Sequence, residues 1–158
     1  MTRTPAQWVN PQIDSATSRW IFFSSACRPF GMVNLSPDTD IAGAWGSGYL
    51  YHSPTICGFS HVHAWQLSAI LVMPVGKDHP GGTDTDTYRS CFTHEDEVCE
   101  AGYHAVSLLD HGVRAEVTST ARVGLHRYTF AQGDPPRSSS TSAASWDRAA
   151  CRMPLWSR

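Results

Sequence analysis

The stretch that decides the fold is "YHAVSLLDHGVRAEVTSTARVGLHRYTF", residues 103–130. Within "VRAEVTS", Val113, Ala115 and Val117 fall on one side and Arg114, Glu116 and Thr118 on the other, the period of two that a half-buried strand requires. "HG" at 111–112 is the turn that precedes it, and "RVGLHRYTF" follows as a further strand. The pattern predicts an antiparallel hairpin that continues into a meander.

Outward from this stretch, Gly, Pro and Asx residues punctuate the chain about every 8–12 residues, and the segments between them alternate and show no helical spacing. "FGMVNLS" ends at the turn "PDTD", "SGYLYH" stops at Pro54, "ICGFSHVH" follows, and "SAILVMPV" closes before a loop from Gly76 to Asp86. All four are expected strands. No long amphipathic helix and no internal repeat stands out. Residues 131–158 change character, with six Ser, four Arg and three Pro and no alternating apolar segment. That tail is expected to be irregular or disordered.

Composition narrows the class. At 158 residues and 41% hydrophobic, the chain can bury about 68–70% of its unfolded surface as one domain. A formal charge of -2 offers no basic field for nucleic acid and no acidic tail. Only 16% of residues are charged, while 11% are aromatic and six are Trp, which suits a β-rich domain with flat apolar faces and makes carbohydrate a reasonable ligand. The five cysteines, Cys27, Cys57, Cys91, Cys99 and Cys151, form no C-x-x-C pair, so mostly free, buried thiols are expected. "MTRTPAQWVNPQ" has no apolar export segment, and the longest apolar run, "AILVMPV", is broken by Pro74, so no membrane span is expected.

The residues that could carry chemistry centre on "GFSHVHAWQ", residues 58–66. As an unbroken strand, "ICGFSHVH" would put Cys57, Phe59, His61 and His63 on one face. The two imidazoles could then ligate a metal, face a ligand or serve as hydrogen-bonded structural groups. A metal would need further ligands, for which His52, His94 and Asp38 are available but not singled out by spacing. Arg28 brings a planar five-donor fork to a Pro-Phe-Gly turn, and Asp38 and Asp40 follow Pro37 in what also reads as a solvated Asx turn. Trp45, among glycines in "AWGSGYLY", could stand as a platform for a sugar ring or pack under a loop. "THEDE", residues 93–97, offers three carboxylates in a row, which adjacent strand positions would not aim at one site. No P-loop, G-x-S-x-G or H-E-x-x-H occurs.

Taken in order, "VNPQID", "RPFGMVNLSPDTD", "WGSGYLY", "GFSHVHAWQLSAILVMP" and "SCFTHEDEVCEAGYHAVSLLDHGVRAEVTSTARVGLHRYTF" resemble the amino-terminal domain of family 92 of the glycoside hydrolases, the calcium-dependent exo-α-mannosidases. The resemblance covers about residues 9 to 130. It implies an all-β fold, an antiparallel β-sandwich, here truncated, packed in the family on a larger helical toroid with the active site at the junction. It further implies hydrolysis of terminal α-mannosyl linkages with inversion, by a glutamic acid and aspartates on opposite sides of the ring, carboxylates that normally stand about 6.5–9.5 Å apart. Those groups, and most of the calcium shell, belong to the helical domain. By the resemblance no catalytic or metal-ligating residue lies in this chain. Trp45 matches the tryptophan before the family's S-G-Y segment and is expected to contact the terminal mannose. Arg28, Asp38, His61 and His63 lie in the other signature segments and are expected near the junction, while the acidic run is expected to be structural.

The expected organisation is therefore a sandwich domain over residues 1–130 and an unrelated tail over 131–158, a break that a shifted reading frame or an early stop would produce. The expected partners are an α-mannoside or other carbohydrate and the missing helical domain, without nucleic acid or membrane. Family members are often periplasmic or extracellular. The alternatives are a stand-alone carbohydrate-binding module and a small metalloenzyme using His61 and His63.

Overall fold

The computed structural model describes residues 2–13, 15–16, 26–39, 48–64, 67–69, 71–76 and 84–131. Within them every strand pairing is antiparallel. The stretch at 103–130 forms β9 (Tyr103–Leu108), β10 (Val113–Ser119) and β11 (Gly124–Phe130), and β8 (Val98–Glu100) completes a four-stranded sheet in the order β11-β10-β9-β8. The alternation along β10 is as expected: Val113, Ala115 and Val117 are buried, and Arg114, Glu116 and Thr118 lie on the other face.

A second sheet is built from β1 (Ala26–Cys27), β2 (Asn34–Asp38) and β4 (Gly58–Ser60), in the order β1-β2-β4. β1 and β2 pack on β9 and β10, so the two sheets form the layers of a sandwich. Ala26, Leu35 and Phe59 from one layer and Val106, Leu108, Val113, Ala115 and Val117 from the other fill the space between them, with Tyr49 and Ile56. Two-stranded ribbons, β3 (Thr55–Ile56) with β7 (Ser90–Cys91) and β5 (Val62–Ala64) with β6 (Leu67–Ala69), flank the layers. The helical content described is a 3-10 turn at Pro5–Trp8 and a single helical turn, α1, at Thr85–Tyr88.

The structure corrects the sequence reading at several points. β2 continues through Pro37 and Asp38, which were expected to turn. Pro37 is tolerated because its partner Phe59 directs both its N–H and its carbonyl to Val72, so the Pro37–Phe59 pair needs no proline donor. Of "SGYLYH", the described residues 48–52 form only a bridge at Gly48, because Leu50 N donates to the Thr39 hydroxyl, Tyr51 N to Ser15 O and Ser53 N to Leu50 O, none of them a ladder partner. "ICGFSHVH" is cut into three short strands, with interruptions at Cys57 and His61. At Gly58 φ is +153°, and a Cβ there would lie 2.8 Å from Leu71 Cγ. Cys27, Cys57 and Cys99 are not disulfide-bonded, and of these only Cys57 is fully buried; Cys91 is disulfide-bonded. Among the described residues no helix is long and apolar enough to cross a membrane.

Candidate functional site

The break at His61 turns Ser60 and His63 toward the same place, although an unbroken strand would hold them on opposite faces. There they meet Asp38. His63 Nε2 lies 2.7 Å from Asp38 Oδ1 and 3.0 Å from Ser60 Oγ, the Ser60 hydroxyl donates to Asp38 Oδ2 at 2.6 Å, and His63 Nδ1 donates to Asn34 O at 2.6 Å. The His63 and Asp38 side chains are completely buried. The composition is Ser-His-Asp, but the arrangement is not that of a nucleophilic triad. One nitrogen faces both the hydroxyl and the carboxylate, and the other is engaged by backbone, so no base stands ready for Ser60.

Asp38 leads directly into a second device. Thr39 donates from its backbone N and from its hydroxyl to Gly48 O, both at 2.9 Å, and its hydroxyl accepts from Leu50 N at 2.9 Å. These bonds close the neck of the segment 40–47. Trp45 lies in that segment, outside the described residues.

His61 goes elsewhere. Its Nε2 lies 2.5 Å from Nε2 of His126 on β11, and His126 Nδ1 lies 2.7 Å from the Tyr128 hydroxyl. Gly124 makes the contact possible, since a Cβ at that position would sit 2.7 Å from His61 Cε1. Phe59 covers His126 edge-on at 6.3 Å. Burial, and then the neighbouring His61, push the His126 pKa down to about 4.

A third cluster is centred on Glu97, the one carboxylate of "THEDE" that turns inward. It accepts from His104 Nε2 at 2.8 Å, His94 Nδ1 at 2.5 Å, the Tyr49 hydroxyl at 2.8 Å and Gln12 Nε2 at 3.1 Å. Burial would raise its pKa, but the His104 hydrogen bond and charge, with the bonds from His94 and Tyr49, overcome this and hold it low. His94 also stacks flat on Tyr51, with ring centroids 4.0 Å apart.

Of the residues singled out by sequence, Asp38 and His63 are brought into direct contact, while His61 is turned away toward β11 and does not share a metal-facing surface with His63. The Arg28 side chain is exposed and makes no hydrogen bond or ion pair within the described structure. It begins the turn closed by Gly31 N donating to Arg28 O at 2.9 Å, in which Phe30 takes φ +59° and projects fully into solvent. Among the described residues no group of three or more His, Cys, Asp or Glu side chains is placed to hold a metal ion. Sequence reasoning passed over His126 and Tyr128. Their parity with the core-facing positions of a meander strand was the available signal.

An antiparallel sandwich whose buried polar side chains meet in clusters that each contain histidine defines an all-β sandwich domain. The chain belongs to glycosyl hydrolase family 92, of which it is an N-terminal domain: the family's sequence model for that domain matches residues 8–149. The match runs past Phe130 into the segment assigned above to the tail.

A family GH92 α-mannosidase from Bacteroides thetaiotaomicron, solved in complex with mannoimidazole, is 35% identical and superposes with a TM-score of 0.69 over 79% of this chain and 18% of its own. A second structure of that enzyme gives 34% identity and a TM-score of 0.70, over 82% of this chain and 19% of its own. An inverting family GH92 mannosidase from the same organism shares the fold at 16% identity and a TM-score of 0.60, over 83% of this chain and 19% of its own. The chain thus spans 18–19% of the length of these enzymes. No curated protein matches the sequence.

Proposed function

We propose that this chain supplies the sugar-facing wall of an α-mannosidase-like glycoside hydrolase, that a helical catalytic domain completes the active site, and that the chain alone releases no mannose. The observation that carries this reading is the state of its buried carboxylates. Inverting hydrolysis needs one carboxyl group to protonate the leaving oxygen and another to activate water across the ring. Asp38 is held by His63 and Ser60, and Glu97 by His94, His104, Tyr49 and Gln12. Neither is disposed to act as acid or base, and in this reading the acid, the base and the calcium site belong to the helical domain.

In this reading Trp45 stacks on the terminal mannose, and the Thr39–Gly48 neck sets the ends of its loop. Asp38 and His63 act from beneath, by fixing the strand that enters that loop, and Arg28 and His61 contribute polar contacts at the other end of β2. The test is incubation of the purified chain with α-linked mannobiose, and no mannose is the expected result. Release of mannose at a rate proportional to protein would overturn the proposal. Calorimetric titration with mannose then addresses the stand-alone carbohydrate-binding module. Binding by the wild type that disappears in Trp45→Ala supports the module, and heat of binding retained in Trp45→Ala removes Trp45 from the sugar contact.

A further inference from the structure

The contact between His61 and His126 has a definite geometry. Their ring centroids are 4.8 Å apart and their planes differ by 21°. That separation is close to the 2.5 Å nitrogen gap plus the two ring radii, so the imidazoles meet nitrogen to nitrogen in a nearly common plane and do not lie face to face. One of the two nitrogens carries the proton and the other accepts it.

Tyr128 decides which. The only hydrogen bond of its hydroxyl in the described structure is to His126 Nδ1, at 2.7 Å, and burial pushes its pKa up to about 12, so the phenol keeps its proton. A half-buried O–H with one partner in reach donates to it, because a protonated Nδ1 would leave the phenolic hydrogen without an acceptor. His126 Nδ1 therefore accepts, its hydrogen sits on Nε2, and Nε2–H donates to His61 Nε2. His61 is left with its hydrogen on Nδ1. That nitrogen has no partner among the described residues, nor is it one of their buried orphan atoms, so it faces solvent. The depressed pKa of His126, about 4, keeps its ring neutral and the relay directional near neutral pH.

We infer that Tyr128 and His126 are positioning residues that lock His61 in the Nδ1–H form, presenting a fixed hydrogen-bond donor to an oxygen of a neutral carbohydrate ligand. The sugar assignment rests on the function proposed above; the relay does not. A histidine free in water favours the other tautomer, with hydrogen on Nε2, so the relay imposes the less common form. A donor of this kind suits a hydroxyl or ether oxygen and discriminates against a cation or another donor. Gly124 belongs to the same device, because it leaves the space in which the His61 ring lies.

The experiment is long-range nitrogen–proton NMR of the imidazole rings in the ¹⁵N-labelled full chain near neutral pH, with His61→Gln and His126→Gln to assign the signals. The expected result is hydrogen on Nδ1 of His61 and on Nε2 of His126. Hydrogen on Nε2 of His61 overturns the relay. In Tyr128→Phe, which preserves the ring packing, His61 is expected to become a mixture of tautomers. An unchanged His61 spectrum in that variant would reduce Tyr128 to a packing role and overturn its assignment.

Adding methyl α-mannoside to the wild type is expected to move the His61 Nδ1 signal, and Tyr128→Phe is expected to need about tenfold more sugar for the same shift, the effect of one oriented hydrogen bond. Sugar-dependent shifts at the Trp45 indole without any at His61 would overturn the donor role while leaving the proposed function standing. A spectrum silent at both positions would overturn the sugar assignment and leave the relay to the tautomer measurement.

Discussion

Glu97 shows how one side chain ties distant parts of the chain together. With its side chain 2% exposed and its partner His104 fully buried, truncation would leave His104, His94 and the Tyr49 hydroxyl facing an empty site. Glu97→Ala is expected to cost about 3–5 kcal/mol, the range for breaking a buried ion pair, read from the midpoint of urea unfolding. The pH dependence has a definite sign. Because the folded-state pKa of Glu97 lies below its unfolded value, its contribution is present above the ordinary carboxylate range and is lost as pH falls through the folded value. Glu97→Gln is therefore expected to be less stable at neutral pH and to lose less stability than the wild type on acidification. A parallel loss in both proteins would show that Glu97 does not carry the acid sensitivity. At Gly124, substitution by Ala drives a methyl into the His61 ring and is expected to destabilise by about 1–3 kcal/mol. Adding His61→Ala should recover most of that loss, and thermal unfolding of the three variants checks it.

At the scale of elements, the decisive features are the breaks in "ICGFSHVH" and the neck at Thr39. The apolar pattern of that segment reads as one strand, yet β4 ends at Ser60 and β5 begins at Val62, and the single residue between them sends His61 to β11 and His63 to β2. A continuous strand would have stacked both histidines on one face, with no contact between Ser60 and His63. The neck is testable by Thr39→Val, which keeps the shape but leaves Leu50 N without its acceptor and is expected to cost about 1–2 kcal/mol. Amide exchange at Leu50 should accelerate by at least as much as global unfolding does. If Trp45 binds sugar, its affinity should fall while the signals of β9 and β10 stay unchanged. Unaltered exchange at Leu50 would show that the hydroxyl does not hold the neck.

At the scale of the whole molecule, the sandwich leaves surfaces that the described residues do not cover. β11 is a seven-residue strand with no neighbour on its outer edge among them. Leu125 and Phe130 on it are each 52% exposed, and Val123, just before it, is 54% exposed. Unpaired edges with apolar side chains recruit other strands. The isolated chain is expected to self-associate with rising concentration, seen in sedimentation velocity, and Leu125→Lys should shift the distribution toward monomer. A wild type that stays monomeric across the accessible range would show that the edge is already protected.

The sequence by itself determined what depends on neighbours along the chain. The alternation of Val113, Ala115 and Val117 with Arg114, Glu116 and Thr118 specifies a half-buried strand wherever that strand lies, and the ordered signature segments carry the family. The acidic run was expected to be structural, and nothing local marked Glu97 among Glu95 and Asp96 as its buried member. Only the tertiary structure decided which polar groups meet. His61 finds His126 across 65 positions of sequence, and Glu97 meets Tyr49 across 48, because two sheets pack face to face at one register and a strand breaks at one residue. Periodicity assigns a side chain to a face; its partner on that face is set by the packing of layers, in which every distant segment takes part.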